Sequence, residues 1–440
     1  MNSLQTIYSA IYRAILPGII LFILPILGGA APRFPFPQHV HYSAGSVKPN
    51  HVSQSVQDND VRAYYNFWKA HYLNFAGQNA DGLPMYRVNF GKNHPLQTVS
   101  EGQGYGMIIT ALMAGYDANA RAYFDGLWRF ARANPSIIDK RLMAYKVTLD
   151  SMNNILNNKT DSAFDGDADM AYGLLLASRQ WGDGGKINYL AESLRLLGGI
   201  LESTIGPSSF LPMLGDWIGP NNATPDPSTG AIYNQWTPRT SDFMVGHFRA
   251  FSRATGSPRW DKAVSKTLSA IAQMQANHSP ATGLLPDFIE PVSLTNHSPM
   301  PARCIFLEGS IEEPYDCQYY YNAGRDPWRI GTDALLTSNS RSLGFARKIS
   351  AWAEKSAGGD PNNIKAGYSL GGNPLPTSDY FTIFFAAPFG VAAMLDSNQQ
   401  VWLNQVYRKV RNLHEDYYED SVTLLCMLVM TGNFWDPSTR

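Results

Sequence analysis

The chain has 440 residues, of which 44% are hydrophobic, 12% aromatic and only 16% charged, a mix that describes a folded globular protein and excludes collagen, coiled coil and extended disorder. Its 35 basic and 36 acidic side chains leave a formal charge of −1, so no global basic field gathers nucleic acid or anionic lipid. The 10 Trp, 23 Tyr and 21 Phe exceed what a core of this size needs, and some are expected to line a groove.

The first element is an apolar run, Ala14 to Leu27, behind Arg13 and ahead of the small residues Gly28, Gly29, Ala30 and Ala31. This order predicts a secretory signal over residues 1–31 and a secreted protein. Pro17, Gly18, Pro25 and the run's shortness weigh against a stable membrane span. Residues 32–59, rich in Pro, His, Ser, Gly and Val without helical period, read as an extended arm, and the folded body is expected over 60–440. Three cysteines make neither a disulfide scaffold nor a zinc ribbon. Cys304 and Cys317 are placed to close a loop, with Cys426 buried in an apolar run.

Amphipathic patterns recur at about 60–72, 102–116, 118–133, 165–181, 187–203, 241–254, 258–276, 326–338, 342–356, 378–395, 399–412 and 418–431. These twelve helices predict an all-α fold, a closed (α/α)6 ring of six hairpins with an inner and an outer layer, and long loops forming an open substrate cleft. The long connections near 134–160, 205–240, 277–325 and 357–377 are where function is expected.

Four segments place acids in apolar or small-residue surroundings. In Ser100-Glu-Gly-Gln-Gly-Tyr-Gly-Met107, Gly102, Gly104 and Gly106 each cost about 1 kcal/mol of helix propensity against Ala. A ligand approaching that backbone, with Glu101 projecting into a cavity, accounts for the cost; Ser100 as a helix cap with Glu101 favoured by the dipole is the plainer reading. In Phe164-Asp-Gly-Asp-Ala-Asp169, Asp165 and Asp169 lie one turn apart and share a face. The spacing resembles a calcium loop but lacks the closing glutamate, so no metal is expected; three capping aspartates remain the alternative. The stretch Phe306 to Arg329 carries Glu308, Glu312, Glu313 and Asp316, then Tyr319, Tyr320 and Tyr321, with Arg325 and Arg329 placed to pair the nearby acids. It reads as a wall for a polar or cationic sugar or as a solvated acidic loop. Asp216-Trp217 and Arg239-Thr-Ser-Asp242 complete the set: Trp beside Asp suits a pyranose, whose C–H face lies on indole while carboxylates take its hydroxyls. Paired carboxylates, aromatic loops and no cofactor motif point to glycoside hydrolysis, a reaction that side chains alone perform.

Ser100 to Met107, Phe164 to Tyr172 and Tyr321-Asn-Ala-Gly-Arg-Asp-Pro-Trp-Arg329 together closely resemble glycoside hydrolase family 8. Lys48-Pro-Asn-His51, Gly215-Asp-Trp217, Arg239 to Asp242, Gly367 to Gly371 and Thr431 to Trp435 extend the likeness over about residues 48–435. The resemblance implies an (α/α)6 barrel and a secreted, inverting endo-hydrolase of β-1,4-linked polymers. It makes Glu101 the general acid and Asp165 the aspartate that binds the distorted sugar. Many family members carry their catalytic base as Asp at the position of Asn322, and an amide accepts no proton at neutral pH. A subfamily with Asn there, which includes chitosanases, takes its base from a glutamate upstream. Glu308 is the first choice, with Glu312 and Glu313 as alternatives, and inversion requires the two carboxyls roughly 6.5–9.5 Å apart. Tyr321 and Arg325 are expected to hold the base loop, with Asn322 and Asp242 touching substrate and Tyr145, Trp217 and Tyr368 stacking on sugars. Chitosan is the first expected substrate, cellulose or mixed-linkage β-glucan the second, and a non-catalytic carbohydrate-binding barrel the reading from another class. A monomer is expected.

Overall fold

Hydrophobic side chains recurring every three to four residues build twelve α-helices among the described residues of the computed structural model, which are 31–226, 230–304 and 314–438. They are α1 (Gln54–Tyr72), α2 (Ser100–Leu112), α3 (Ala120–Ala133), α4 (Phe164–Trp181), α5 (Tyr189–Ser203), α6 (Val245–Thr255), α7 (Pro258–Asn277), α8 (Asp326–Thr337), α9 (Ser340–Ser356), α10 (Ile383–Ala393), α11 (Gln400–Val410) and α12 (Tyr417–Met430). Each predicted helix is present, with ends displaced where the chain supplies a local stop. The helix expected from 378 begins at Ile383, because Thr382 caps it by accepting the Phe384 N–H. The one expected from 241 begins at Val245, after a 3₁₀ turn over Thr240–Asp242.

The helices divide into two kinds. All eleven residues of α10 are buried, as are twelve of the fourteen in α12, and α2, α4 and α8 are nearly as enclosed. The helices between them bury one stripe and show the other to solvent, the pattern of an outer layer. Among the enclosed set and α6, α2 packs on α4, α4 on α6, α6 on α8, α8 on α10, α10 on α12 and α12 on α2.

Residues 32–53 are tied to the body by main-chain hydrogen bonds. Arg33 donates to Gln180 O, Phe36 to Ala114 O, Val40 to Gly432 O and Val47 to Met394 O, and the Phe36 ring is buried. The body expected to start at residue 60 therefore starts earlier: the compact unit runs from Pro32, and residue 60 falls inside α1. The segment's backbone polar groups find partners at the ends of α2, α4, α10 and α12, which an untethered arm would leave to water. The predicted signal segment lies, apart from Ala31, outside the described residues. No described helix is long and apolar enough to cross a membrane.

Short strands carry the site loops. A three-stranded antiparallel sheet, β3 (Gln97–Val99), β4 (Lys146–Leu149) and β5 (Ile155–Asn157), leads into α2, while β1 (Leu73–Gln78) pairs with β2 (Pro84–Val88), and β6 (Ile289–Pro291) with β7 (Pro299–Pro301). Cys304 and Cys317 are joined by a disulfide and Cys426 is a buried free thiol.

The glycines of α2 serve helix packing and not ligand approach. A Cβ on Gly104 would lie 2.6 Å from Asp169 Cβ and 2.9 Å from Gly166 O on α4, and one on Gly102 would lie 2.7 Å from Tyr417 Oη. These close approaches explain the propensity cost.

Candidate active site

The first residues of α2 and α4 deliver two carboxylates to one cavity of about 520 Å³. Glu101 enters directly after β3, and Asp165 is the second residue of α4. Neither helix has a side-chain N-cap: Val99 and Ala163 occupy the cap positions, so Ser100 does not cap α2. Their unscreened helix ends favour negative charge at Glu101 and Asp165.

One guanidinium joins the two acids. Arg325, itself 1% exposed, donates from Nη1 to Glu101 Oε2 at 2.6 Å and to Asp165 Oδ2 at 2.9 Å, and from Nη2 to Ser241 Oγ and Asn322 Oδ1 at 2.8 Å each. Arg239 adds a second cation 2.9 Å from Asp165 Oδ2. One turn further along α4, Asp169 accepts both terminal nitrogens of Arg329, at 2.8 and 2.6 Å. Carboxylates four apart on α4 thus meet guanidiniums four apart on the chain entering α8. The arginines were expected to pair the acids of their own loop; they pair acids about 160 and 224 residues away.

The two site acids are driven in opposite directions. Burial raises Glu101, with the Asp165 charge adding, against the lowering pull of Arg325 and the Tyr417 hydroxyl. Burial would also raise Asp165, but Arg239 and Arg325 outweigh it and bring it down to about 2. A carboxyl raised by burial beside one held low by two guanidiniums separates the two acids in the sense that acid-catalysed glycoside cleavage requires.

The remaining wall comprises Phe90, Tyr145, Tyr320, Tyr321, Asn322, Tyr418 and Glu419. Tyr145 is 40% exposed, and its carbonyl accepts the Ser100 N–H at 2.9 Å, which places it beside Glu101. Tyr321 shares a hydrogen bond of 2.9 Å with the Tyr380 hydroxyl. Asn322 is fixed from below by Asp287, whose buried carboxylate accepts the main-chain N–H groups of Tyr320, Asn322 and Ala323 at 2.9, 2.9 and 2.8 Å. Burial nevertheless raises Asp287 to about 7. Tyr417 donates to Glu101 Oε1 at 2.9 Å and Tyr418 to Tyr321 O at 2.7 Å.

Three expected substrate contacts are not on this wall. Asp242 is fully buried with its Oδ1 turned to Arg239 Nε and Nη2, so it orients that cation. Tyr368 is 3% exposed, packs edge-on against Trp352 and accepts the Lys365 N–H on its hydroxyl. Its place in an apolar layer removes it from any sugar. Trp217 is 44% exposed but lies outside the cavity lining, on a loop whose Asp216 accepts the Ser162 N–H ahead of α4. Glu308, Glu312 and Glu313 lie outside the described residues.

Sequence reasoning missed Asp287, Tyr417, Tyr418 and Glu419. Asp287 carried a signal, as the lone charge inside Leu284-Leu-Pro-Asp-Phe-Ile289. Tyr417 to Glu419 repeat the acidic and aromatic composition that drew attention to residues 308–321.

The sequence model of glycosyl hydrolases family 8 matches residues 34–432. This chain belongs to that family. A beta-glucanase of Niallia circulans is 44% identical over 410 residues, 92% of each chain. An endoglucanase of Bacillus sp. (strain KSM-330) is 40% identical over 92% of this chain and 82% of its own. Among solved structures, the apo beta-1,3-1,4-glucanase of Paenibacillus sp. X4 superposes with a TM-score of 0.83 at 42% identity, covering 92% of this chain and all of the other. A cold-adapted family 8 xylanase, 19% identical with a TM-score of 0.69, shares the fold. As a family 8 member the chain is a glycoside hydrolase, with Glu101, Asp165 and Arg325 gathered on one cavity wall.

Proposed function

We propose that this family 8 hydrolase is an endo-acting, inverting enzyme that cleaves β-1,4 bonds of a β-glucan inside an (α/α)6 barrel. The observation that carries the reading is the Arg325-linked pair, a Glu101 raised by burial beside an Asp165 held low by Arg239 and Arg325. The cyclic succession of contacts among α2, α4, α6, α8, α10 and α12 supports barrel closure. Glu101 gives its proton to the glycosidic oxygen as the bond breaks, and Asp165 stabilises positive charge developing on the ring. Water is activated from the opposite ring face by a carboxylate. Asn322 cannot serve, and Asp287 is enclosed by three N–H donors. Glu308 remains the proposed base, ahead of Glu312 and Glu313, the last of which stands eight residues before Tyr321.

Chitosan, ranked first from the acidic loop and Asn322, moves behind β-glucan because the relatives are named beta-glucanase and endoglucanase. Secretion rests on the apolar run of residues 14–27, and a single-chain enzyme is the accompanying proposal. The deciding experiment measures reducing-end release from lichenan, carboxymethyl cellulose and chitosan by the wild type and by Glu101→Gln and Glu308→Gln. Rapid hydrolysis of lichenan with the α-anomer formed first, and losses of about 10²–10⁴ in kcat for each variant, are expected. Full activity in Glu308→Gln would move the base to Glu312 or Glu313. Binding with no cleavage of any glucan would leave a carbohydrate-binding barrel.

A further inference from the structure

Four acids crowd the entry to α12, and three have defined structural work. Glu415 accepts the Thr382 hydroxyl and the Ile383 N–H, fixing the start of α10. Asp416 caps α12 through the Tyr417 N–H and accepts the Lys92 N–H. Asp420 is fully buried and takes the hydroxyls of Tyr64 and Tyr72 together with the Glu415 N–H. The fourth, Glu419, lines the cavity that holds Glu101 and Asp165. Among the described residues its carboxyl finds only its own main-chain N–H.

The two residues before it are held on both sides of the site, Tyr417 on the Glu101 carboxyl and Tyr418 on the Tyr321 carbonyl. The first turn of α12 is therefore rigid where it meets the cleft, and Glu419 is presented from a fixed backbone. Burial, with Glu415, Asp416 and Asp420 adding, pushes this carboxyl up to about 7 against the pull of its own N–H. With so few donors from the protein, the oxygens of this half-buried carboxyl are left to whatever occupies the cleft. A polyhydroxylated chain in the cleft supplies the missing donors.

We infer that Glu419 is a substrate-contacting, specificity-determining residue: it accepts a hydrogen bond from a sugar hydroxyl in the cleft and disfavours chains that carry anionic substituents. The inference rests on the β-glucan hydrolase reading above and deepens it. A hydrogen bond to a carboxylate outweighs one to a neutral amide, so the effect is graded between Gln and Ala, and repulsion of anionic chains disappears in both.

The test compares wild type, Glu419→Gln and Glu419→Ala on lichenan and carboxymethyl cellulose at one ionic strength and one pH above about 7, where this carboxyl is ionised, with melting temperatures as the folding control. It adds the affinity of a gluco-oligosaccharide for Glu101→Gln protein with and without Glu419→Ala. We expect Glu419→Ala to raise KM for lichenan about tenfold while kcat changes less, and to weaken oligosaccharide binding by a similar factor. Glu419→Gln recovers part of the loss, and in both variants kcat/KM for carboxymethyl cellulose rises relative to lichenan. An active wild type whose Glu419→Ala variant keeps KM, affinity and the substrate ratio within about twofold overturns the assignment alone. A wild type idle on every β-glucan overturns the functional reading and this assignment with it.

Discussion

Glu101 is set by influences of different sign: burial and the Asp165 charge favour its proton, while the Arg325 guanidinium, the Tyr417 hydroxyl and Arg239 favour its charge. Tyr417→Phe removes the hydroxyl alone, since the ring stays packed against Phe90 and Tyr72. With one donor to the ionised form gone, the Glu101 carboxyl rises further. The alkaline limb of the kcat/KM profile, which reports loss of the acid's proton, is expected to move to higher pH. A limb that stays in place or moves down would show that Glu101 is not the group titrating there. Arg325 offers no such clean cut, because it bonds Glu101, Asp165, Ser241 and Asn322 together, and its removal would leave buried charges unpaired.

Among the elements, the contact of α2 with α4 decides the site geometry, because each helix brings one acid on its first turn. The approach is close because glycines face it: Gly104 meets Asp169 and Gly166 of α4, and Gly166 meets Ser100 of α2. Gly104→Ala places a methyl 2.6 Å from Asp169 Cβ and 2.9 Å from a main-chain carbonyl, atoms of a helix core that cannot turn aside. The variant is expected to lose about 1–3 kcal/mol of stability in chemical denaturation. It also loses activity at temperatures where it remains folded, because the two helix ends separate. Unchanged stability would mean that the helices slide without cost.

Across the described residues, some buried carboxyls are raised and others lowered. Asp242 and Asp287 are raised to about 7, burial being the largest cause in each, and Asp165 is lowered to about 2. A raised carboxyl holds its proton when folded and releases it when unfolded, so its contribution is complete below the ordinary carboxylate range and is lost as pH climbs through about 7. The Asp165 contribution runs the other way, present above the ordinary range and lost as pH falls towards 2. Stability is therefore expected to peak in mildly acidic solution, with a melting temperature higher at about pH 5 than at about pH 8. Asp242→Asn, neutral throughout, narrows that difference. An unchanged difference between the two pH values would place the titration in other groups. The ties of residues 32–53 to the ends of α2, α4, α10 and α12 make the segment a structural belt across the same body.

The sequence by itself determined the twelve helices, because side-chain burial repeats at the helical period and Gly, Pro and Asn interrupt it. It also determined that Glu101 and Asp165 are uncommon acids, because each stands at the head of a run too apolar to face water. Residues 32–53 misled for the opposite reason: much of their anchoring is main-chain hydrogen bonding, and the side chains that join it, such as Phe36, follow no helical or strand period. Only the tertiary structure decided which charges meet. Arg325 reaches across 224 residues to Glu101, Asp242 turns inward to Arg239, and Tyr368 withdraws into the layer beneath the cleft, while Glu419 comes to the wall from the far end of the chain. Electrostatic partners are chosen by proximity through space, and that proximity exists only once the helices have packed.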